Sequence, residues 1–427
     1  MLRMNGRAVV SVAVGLLCGY LAGYVIGHTR TDFAVVVHDG RASWFGAGPG
    51  SAAVIAAVVA TAVVVVLGRF RARYLVAVAA GLAGLAMVVA IAALQSAGTD
   101  SEQWVLGSIG AGLLIAAAVL RPAGQTWFVV GSMVSVLYGA RIDESVELPR
   151  RYADYLTTRT VPDLPGSWPL LVAAVIALLA AGFVVGRERI ETASPGRAVA
   201  VGAGIPLAIG ALIWLVGQVP GNPSVIVAVV VVLGTAAVSL WLPAADAIYT
   251  LTMLAVAAAI AVDPSVGVGP DRVGLSVQIA LLALGALVGT LRRLPLVGIG
   301  LCALVTLGGL VPTLIDSTTV TEVAFRFVLP AAVGFAVGAC LPVAPTTVVA
   351  LSVFPVVARL FENGRATWSA GDELGWTAYA PDAYTVGRPG AAPMLAATVV
   401  ILGCAILVWS RQRVRTYPSR PPNMPPD

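Results

Sequence analysis

The chain has no lysine: all 26 of its basic residues are arginine. That absence removes a Walker-A lysine, a Schiff-base lysine and a lysine general base. Charge is scarce altogether, at 11% of 427 residues, and histidine occurs twice. His28 and His38 are too few and too isolated for a metal site, and no Ser-His-Asp arrangement, zinc spacing or Gly-rich nucleotide loop is present. No catalytic, cofactor or metal residue is therefore nominated, and a non-enzymatic role is the leading expectation. Only four cysteines occur, Cys18, Cys302, Cys340 and Cys404, each inside an apolar run, so buried thiols without a disulfide framework are expected. The net charge of +5 is too small and too dispersed to point to nucleic acid.

What is abundant is apolar. Hydrophobic residues make up 59% of the chain and mean hydropathy is +0.93, against about 45–50% apolar in soluble domains. The expected class is an all-α polytopic membrane protein. A crossing helix needs about 20 apolar residues. Fourteen runs qualify: 8–27, 51–68, 74–94, 104–120, 126–140, 168–186, 198–217, 224–242, 246–262, 275–291, 295–315, 323–342, 345–361 and 391–409. The fifth is short and is expected to reach Ile142. The runs are continuously apolar rather than alternating, which favours helices over barrel strands. No convincing cleavage site follows the first run, which reads as a retained span.

Arginine placement predicts orientation. With the N-terminus in the cytoplasm and spans alternating, 15 arginines fall inside and 9 outside, whereas 4 acids fall inside and 17 outside. An even span count then puts both termini in the cytoplasm. Tryptophans cluster at the predicted interfaces as an aromatic belt. Residues 416–427 form a Pro-rich cytoplasmic tail. Exclusive use of arginine with Ala/Val-rich spans suggests a high-GC bacterium, and so a bacterial plasma membrane.

A repeat runs through the chain. Residues 169–190 and 393–414 share 9 of 22 positions without gaps, including Arg187/Arg411 and Arg189/Arg413. The segment GRFRARYLV at 68–76 matches GTLRRLPLV at 289–297, and Ala140-Arg141-x-x-Glu144 matches Ala358-Arg359-x-x-Glu362. The predicted division is six spans in 1–190, two linking spans in 191–245, and six spans in 246–415. Both six-span units start inside, so the repeat is parallel, with its pseudo-twofold axis along the membrane normal.

This six-plus-two-plus-six pattern resembles the fourteen-span form of the major facilitator superfamily. The resemblance rests on the repeat and on the Gly-plus-basic turn after the second span of each half, Gly68-Arg69-Phe70-Arg71-Ala72-Arg73 and Gly289-Thr290-Leu291-Arg292-Arg293. The family's turn also carries an Asp and a second Gly that are missing here. The resemblance implies two six-helix bundles rocking around a central cavity. The family's membrane-embedded acids for proton coupling find no counterpart in this chain.

Candidate functional residues follow. Arg141 and Arg359 end the two fifth spans, with Glu144 and Glu362 three residues on. They read as a local pair or as guanidinium groups at an outer vestibule, where Arg326 could join them. Asp246, in the turn before the ninth span, reads as a cap on its own helix, which starts at Ala247, or as an acid with a transport role. Ser132, Ser135, Tyr138, Tyr249, Thr250, Thr252 and Gln278 read as interhelical hydrogen-bonding groups or a cavity lining. Gly15, Gly19, Gly23 and Gly27 stripe the first span, and Gly334-x-x-x-Gly338 repeats the theme, both as close-packing faces. Pro206, Pro312, Pro330 and Pro355 are expected to kink their helices. The outer loops offer Asp39, Arg41 and Trp44, and then Trp368, Asp372, Glu373 and Trp376, with Asp39-Gly40 and Asn363-Gly364 as hairpin turns.

Three functions compete. The first is a transporter or flippase moving a small amphipathic or lipid-linked substrate. The second is a non-transporting scaffold whose outer loops bind an envelope-assembly partner. The third is a lipid-linked glycosyltransferase-type enzyme using outer carboxylates. No cofactor is implied by any of them, and the bilayer itself is the expected partner.

Overall fold

The computed structural model describes residues 6–27, 49–94, 100–142, 168–190, 196–218, 224–263, 272–310, 323–356, 358 and 391–416. They form fourteen helical segments and, among the described residues, no β-strand. These are α1 (Gly6–Gly27), α2 (Pro49–Arg69), α3 (Tyr74–Leu94), α4 (Asp100–Val119), α5 (Pro122–Ile142), α6 (Trp168–Val185), α7 (Gly196–Gln218), α8 (Ser224–Trp241), α9 (Ala244–Ile260), α10 (Arg272–Arg292), α11 (Pro295–Gly308), α12 (Leu329–Cys340), α13 (Pro345–Leu351) and α14 (Ala391–Thr416). Each apolar run of the sequence overlaps one of them, with 311–315, 357 and 359–361 outside the described residues. Five helices, α1, α2, α6, α10 and α14, are long and apolar enough to cross a membrane on length and composition alone. Large apolar side chains line the outside as well as the core: Phe183, Ile176, Leu233, Leu304, Val399 and Ile406 are all exposed. An apolar exterior over continuous helices is what a lipid solvent selects, because every backbone group is bonded within its own segment. The protein is a multi-pass helical membrane protein.

α5 begins four residues earlier than its apolar run. Gln125 and Thr126 lie in its first turns and are buried, so polar residues extend the helix where protein, not lipid, surrounds it. Proline shapes two other segments as expected. Pro330 has no N–H to donate to the carbonyl of Arg326, and a π turn at Ala324–Val328 precedes α12, closed by the Leu329 N–H on the Ala324 carbonyl. Pro355 would crowd the carbonyl of Leu351, and α13 stops there. Pro206 sits inside α7, whereas Pro312 lies outside the described residues.

Small residues decide which helices touch. α1 packs along α5. A Cβ on Gly15, Gly19 or Gly23 would run into the backbone of Gly124, Phe128 or Ser132 respectively, whereas one on Gly27 would meet nothing. The striped face of α1 is thus a backbone-to-backbone contact over three of its four glycines. In the second half α10 packs along α12 in the same manner. Gly334 and Gly338 abut the carbonyls of Leu282 and Ala286, and Gly285 and Gly289 abut those of Ala331 and Phe335.

Within α1–α6, α1 also packs on α4 and α6, α2 on α4, and α3 on α4 and α6. Within α9–α14, α9 packs on α12 and α14, α10 on α12, and α11 on α12 and α14. The two groups meet where α5 touches α10 and where α2 touches α13. α7 lies over the second of these seams. Its Gly202 fits between Thr61 of α2 and Thr346 of α13, and the Thr61 hydroxyl donates to the Gly202 carbonyl at 3.0 Å.

Candidate functional site between the helical groups

The site is a polar chain inside an apolar molecule. It starts at the loop after α6. Glu188 accepts from the Arg7 guanidinium at 2.8 Å and from that of Arg121 at 2.5 Å. Arg7 stands in the first turn of α1 and Arg121 in the turn between α4 and α5. Charge-assisted bonds of this kind are the stronger class. The Arg121 hydrogen bond, helped by the charges of Arg121 and Arg7, holds the Glu188 carboxyl below its ordinary value. Arg121 also stacks over the Tyr74 ring at 5.1 Å, and the Tyr74 hydroxyl donates to the Ala117 carbonyl at 3.0 Å. One carboxylate thus ties together α1, the α4–α5 turn and the start of α3.

Four residues beyond Arg121, Gln125 carries the chain into the other helical group. Its amide nitrogen donates to the Val343 carbonyl at 3.1 Å and to the Val119 carbonyl at 3.1 Å. Its amide oxygen accepts the Val343 N–H at 3.1 Å. The next residue, Ala344, donates its N–H to the Asp246 carboxylate at 3.0 Å, and the Thr347 side chain lies beside the same carboxylate. The α12–α13 turn is therefore gripped from α5 on one side and from α9 on the other.

This corrects the reading of Asp246. The N-cap of α9 is Pro243, and no side chain caps that helix. The carboxylate instead serves the first residues of α13, for which Ala344 is the N-cap. The free N–H groups at a helix start attract an anion from whichever element brings one. The interhelical role expected of two threonines also changes. Thr250 and Thr252 donate to carbonyls four residues back in their own helix, Asp246 and Ile248, at 2.8 Å each. Only Thr252 also joins its neighbour, by accepting from the Cys340 thiol at 3.2 Å. Cys18, Cys302 and Cys404 are buried free thiols, and Cys340 is half-buried and free.

Of the nominated site residues, Arg326 sits half-buried in the π turn ahead of α12. Arg141 closes α5, with its side chain outside the described residues. Glu144, Arg359, Glu362, Asp39, Arg41, Trp44, Trp368, Asp372, Glu373 and Trp376 all lie outside the described residues, as do His28, His38 and the two expected hairpin turns. Gln125, Arg121 and Glu188 are not among the candidates that the sequence offers. A single amide ahead of an apolar run carries no periodicity, and its partners are main-chain groups 218 residues away. In the sequence Arg121 and Glu188 are single charges beside apolar runs, with no pattern that joins them.

No protein-family model matches the chain, and no curated protein matches its sequence. Solved transporter structures align with the chain over nearly its whole length, each with a TM-score below 0.5. The inward-open xylose transporter XylE from E. coli is 14% identical, with 94% of each chain covered and a TM-score of 0.47. A bacterial homologue of the human drug peptide transporters is 13% identical, covering 96% of this chain and 98% of its own, at 0.48. The major facilitator superfamily transporter FucP, in its outward conformation, is 13% identical, covering 96% and 99%, at 0.40.

Proposed function

We propose that the chain is a transporter or flippase that exposes a central site alternately at its two ends, and that its substrate is small and amphipathic or lipid-linked. In this reading residues 1–190 and 246–415 form two six-helix bundles, 191–245 supplies two linking spans, and both termini lie in the cytoplasm. Three features support the repeat. Five helix pairings of α1–α6 recur in α9–α14, first with fourth and sixth, second with fourth, third with fourth and sixth, whereas the extensive α1–α5 packing has only a slight counterpart in α9 and α13. The two seams, α5 against α10 and α13 against α2, exchange when the bundles are exchanged. The Gly-plus-basic turn after α2 and its counterpart after α10 each hold one arginine in the left-handed region, Arg71 at φ 46° and Arg293 at φ 50°, a costly conformation for a non-glycine residue.

The observation that carries the function is the Gln125–Val343 contact. Paired amide hydrogen bonds between main chain and one side chain are each worth about 1 kcal/mol net, so such a latch costs little to open and re-form. An apolar interior with few charges suits a substrate that already partitions into lipid. The test uses a background with the four native cysteines replaced. Single cysteines at Thr126 and Tyr138, toward the two ends of α5, report alkylation rates with and without a Q125C–V343C disulfide. The lock is expected to slow alkylation at 126 and speed it at 138. Unchanged rates at both positions refute alternating access.

A further inference from the structure

The arginine-rich loops after α2 and after α6 are laid side by side. The Tyr74 N–H donates to the Glu188 carbonyl at 2.9 Å, the Leu75 N–H to the Gly186 carbonyl at 3.0 Å, and the Ile190 N–H to the Ala72 carbonyl at 3.0 Å. An antiparallel bridge sets Arg73 opposite Arg189. Like charges directly opposed across such a pair repel. Arg69 ends α2, Arg71 and Arg187 stand in the same two loops, and all five side chains are exposed. Glu188, the one acid described between them, is already committed to Arg7 and Arg121. None of the five arginines has an ion pair or hydrogen-bonding side-chain partner among the described residues.

The equivalent arginines of the second half are used differently. Arg411 donates to the carbonyls of Ser239 and Leu240 at the end of α8, at 3.3 and 2.7 Å, and Arg413 lies over the Trp409 ring at 3.7 Å. The five-arginine patch therefore belongs to one half only. Its surroundings are apolar. Phe70 is 75% exposed and Phe183 is 89% exposed, with Leu75 and Val76 open beside them. Guanidinium groups at the end of spans, directly above exposed apolar side chains, match a phosphate headgroup and its acyl chains at once.

We infer that Arg69, Arg71, Arg73, Arg187 and Arg189 form a binding site for the headgroup of an anionic phospholipid in the leaflet at the arginine-rich end. The bound phosphate takes the position between Arg73 and Arg189 and removes their repulsion.

Native mass spectrometry of the full chain in detergent tests this, with phosphatidylglycerol and phosphatidylcholine of matched chains, and with inorganic phosphate as competitor. Phosphatidylglycerol is expected to remain bound under conditions that strip phosphatidylcholine, and millimolar phosphate is expected not to displace it. Each arginine near an anionic surface contributes about five-fold in affinity, so R187Q/R189Q is expected to weaken phosphatidylglycerol about 25-fold. R69Q/R73Q gives the same loss and replaces that variant if it is not monodisperse on size exclusion. R292Q/R293Q, which removes equal charge from the matching turn of the other half, is expected to bind as the parent. Equal retention of the two lipids, displacement by phosphate, or an equal loss in R292Q/R293Q overturns the site.

Discussion

The Gln125 side chain and the Val343 main chain exchange two hydrogen bonds of 3.1 Å, donor for acceptor, across the meeting of the two helical groups. A carboxamide makes this exchange at any pH, because it carries an acceptor and a donor on one planar head, whereas an ionised carboxylate only accepts. Gln125→Ala removes both bonds, at about 0.5–1.5 kcal/mol each, and favours separation of the α4–α5 and α12–α13 turns by roughly 5- to 150-fold. Cys340 ends α12 three residues before Val343, which makes it a native reporter. Its alkylation, followed by peptide mass spectrometry, is expected to accelerate in Gln125→Ala by about that factor. Gln125→Glu keeps the acceptor and loses the donor, so its rate is expected to fall between the two.

Glycine at the α1–α5 contact gives a prediction with an internal control. A methyl group on Gly19 would meet the Phe128 carbonyl, and backbone cannot step aside. Gly19→Ala is expected to cost about 1–3 kcal/mol through overpacking, read as a lower melting temperature in detergent. Gly27→Ala has open space around its Cβ and is expected to be neutral or slightly stabilising. Equal effects of the two substitutions would show that α1 and α5 do not pack through glycine.

The Arg7–Glu188–Arg121 contact sets an acid-side dependence. Glu188 is held below its ordinary value of 4.5 by the Arg121 hydrogen bond first, and by the charges of Arg121 and Arg7. A lowered folded value means that the unfolded chain binds the proton first as pH drops. The stabilisation is therefore complete above about 4.5 and is lost as pH falls from there through the lower folded value. The Glu188 side chain is 36% exposed, so solvent screens the pair and the effect is modest. Melting temperatures between pH 6 and pH 3 are expected to fall more steeply for the parent than for Glu188→Gln. Parallel curves would remove Glu188 from the account.

The positions of the described helices and the chemistry of their faces are legible in the sequence. The fourteen runs depend on mean hydropathy over about 20 residues, and the Gly15–Gly19–Gly23 stripe on the 3.6-residue period, both of them local properties. Pro330 and Pro355 also act locally, through one missing N–H and one crowded carbonyl. The polar chain was not legible for the opposite reason. Gln125 and Val343 are 218 residues apart, and Val343 takes part through its backbone, which every residue type possesses. Asp246 misled because a carboxylate in a first turn looks like a cap for its own helix, and only tertiary packing reveals that another helix start lies nearer.

That relationship yields the last prediction. Asp246 is 5% exposed and accepts the Ala344 N–H at the start of α13. Asp246→Ala leaves that N–H without its acceptor, a desolvation cost of about 1–3 kcal/mol. Asp246→Asn keeps an oxygen of the same reach and loses only the charge, so it is expected to recover more than half of the stability lost by Asp246→Ala. If the carboxylate capped α9 instead, both substitutions would protect the α9 amides less, with α13 unaffected. Hydrogen exchange in detergent separates the two. Faster exchange in Asp246→Ala is expected at Ala344 and in the first turn of α13, with the first turn of α9 unchanged. Loss of protection confined to residues 244–248 would return Asp246 to its own helix.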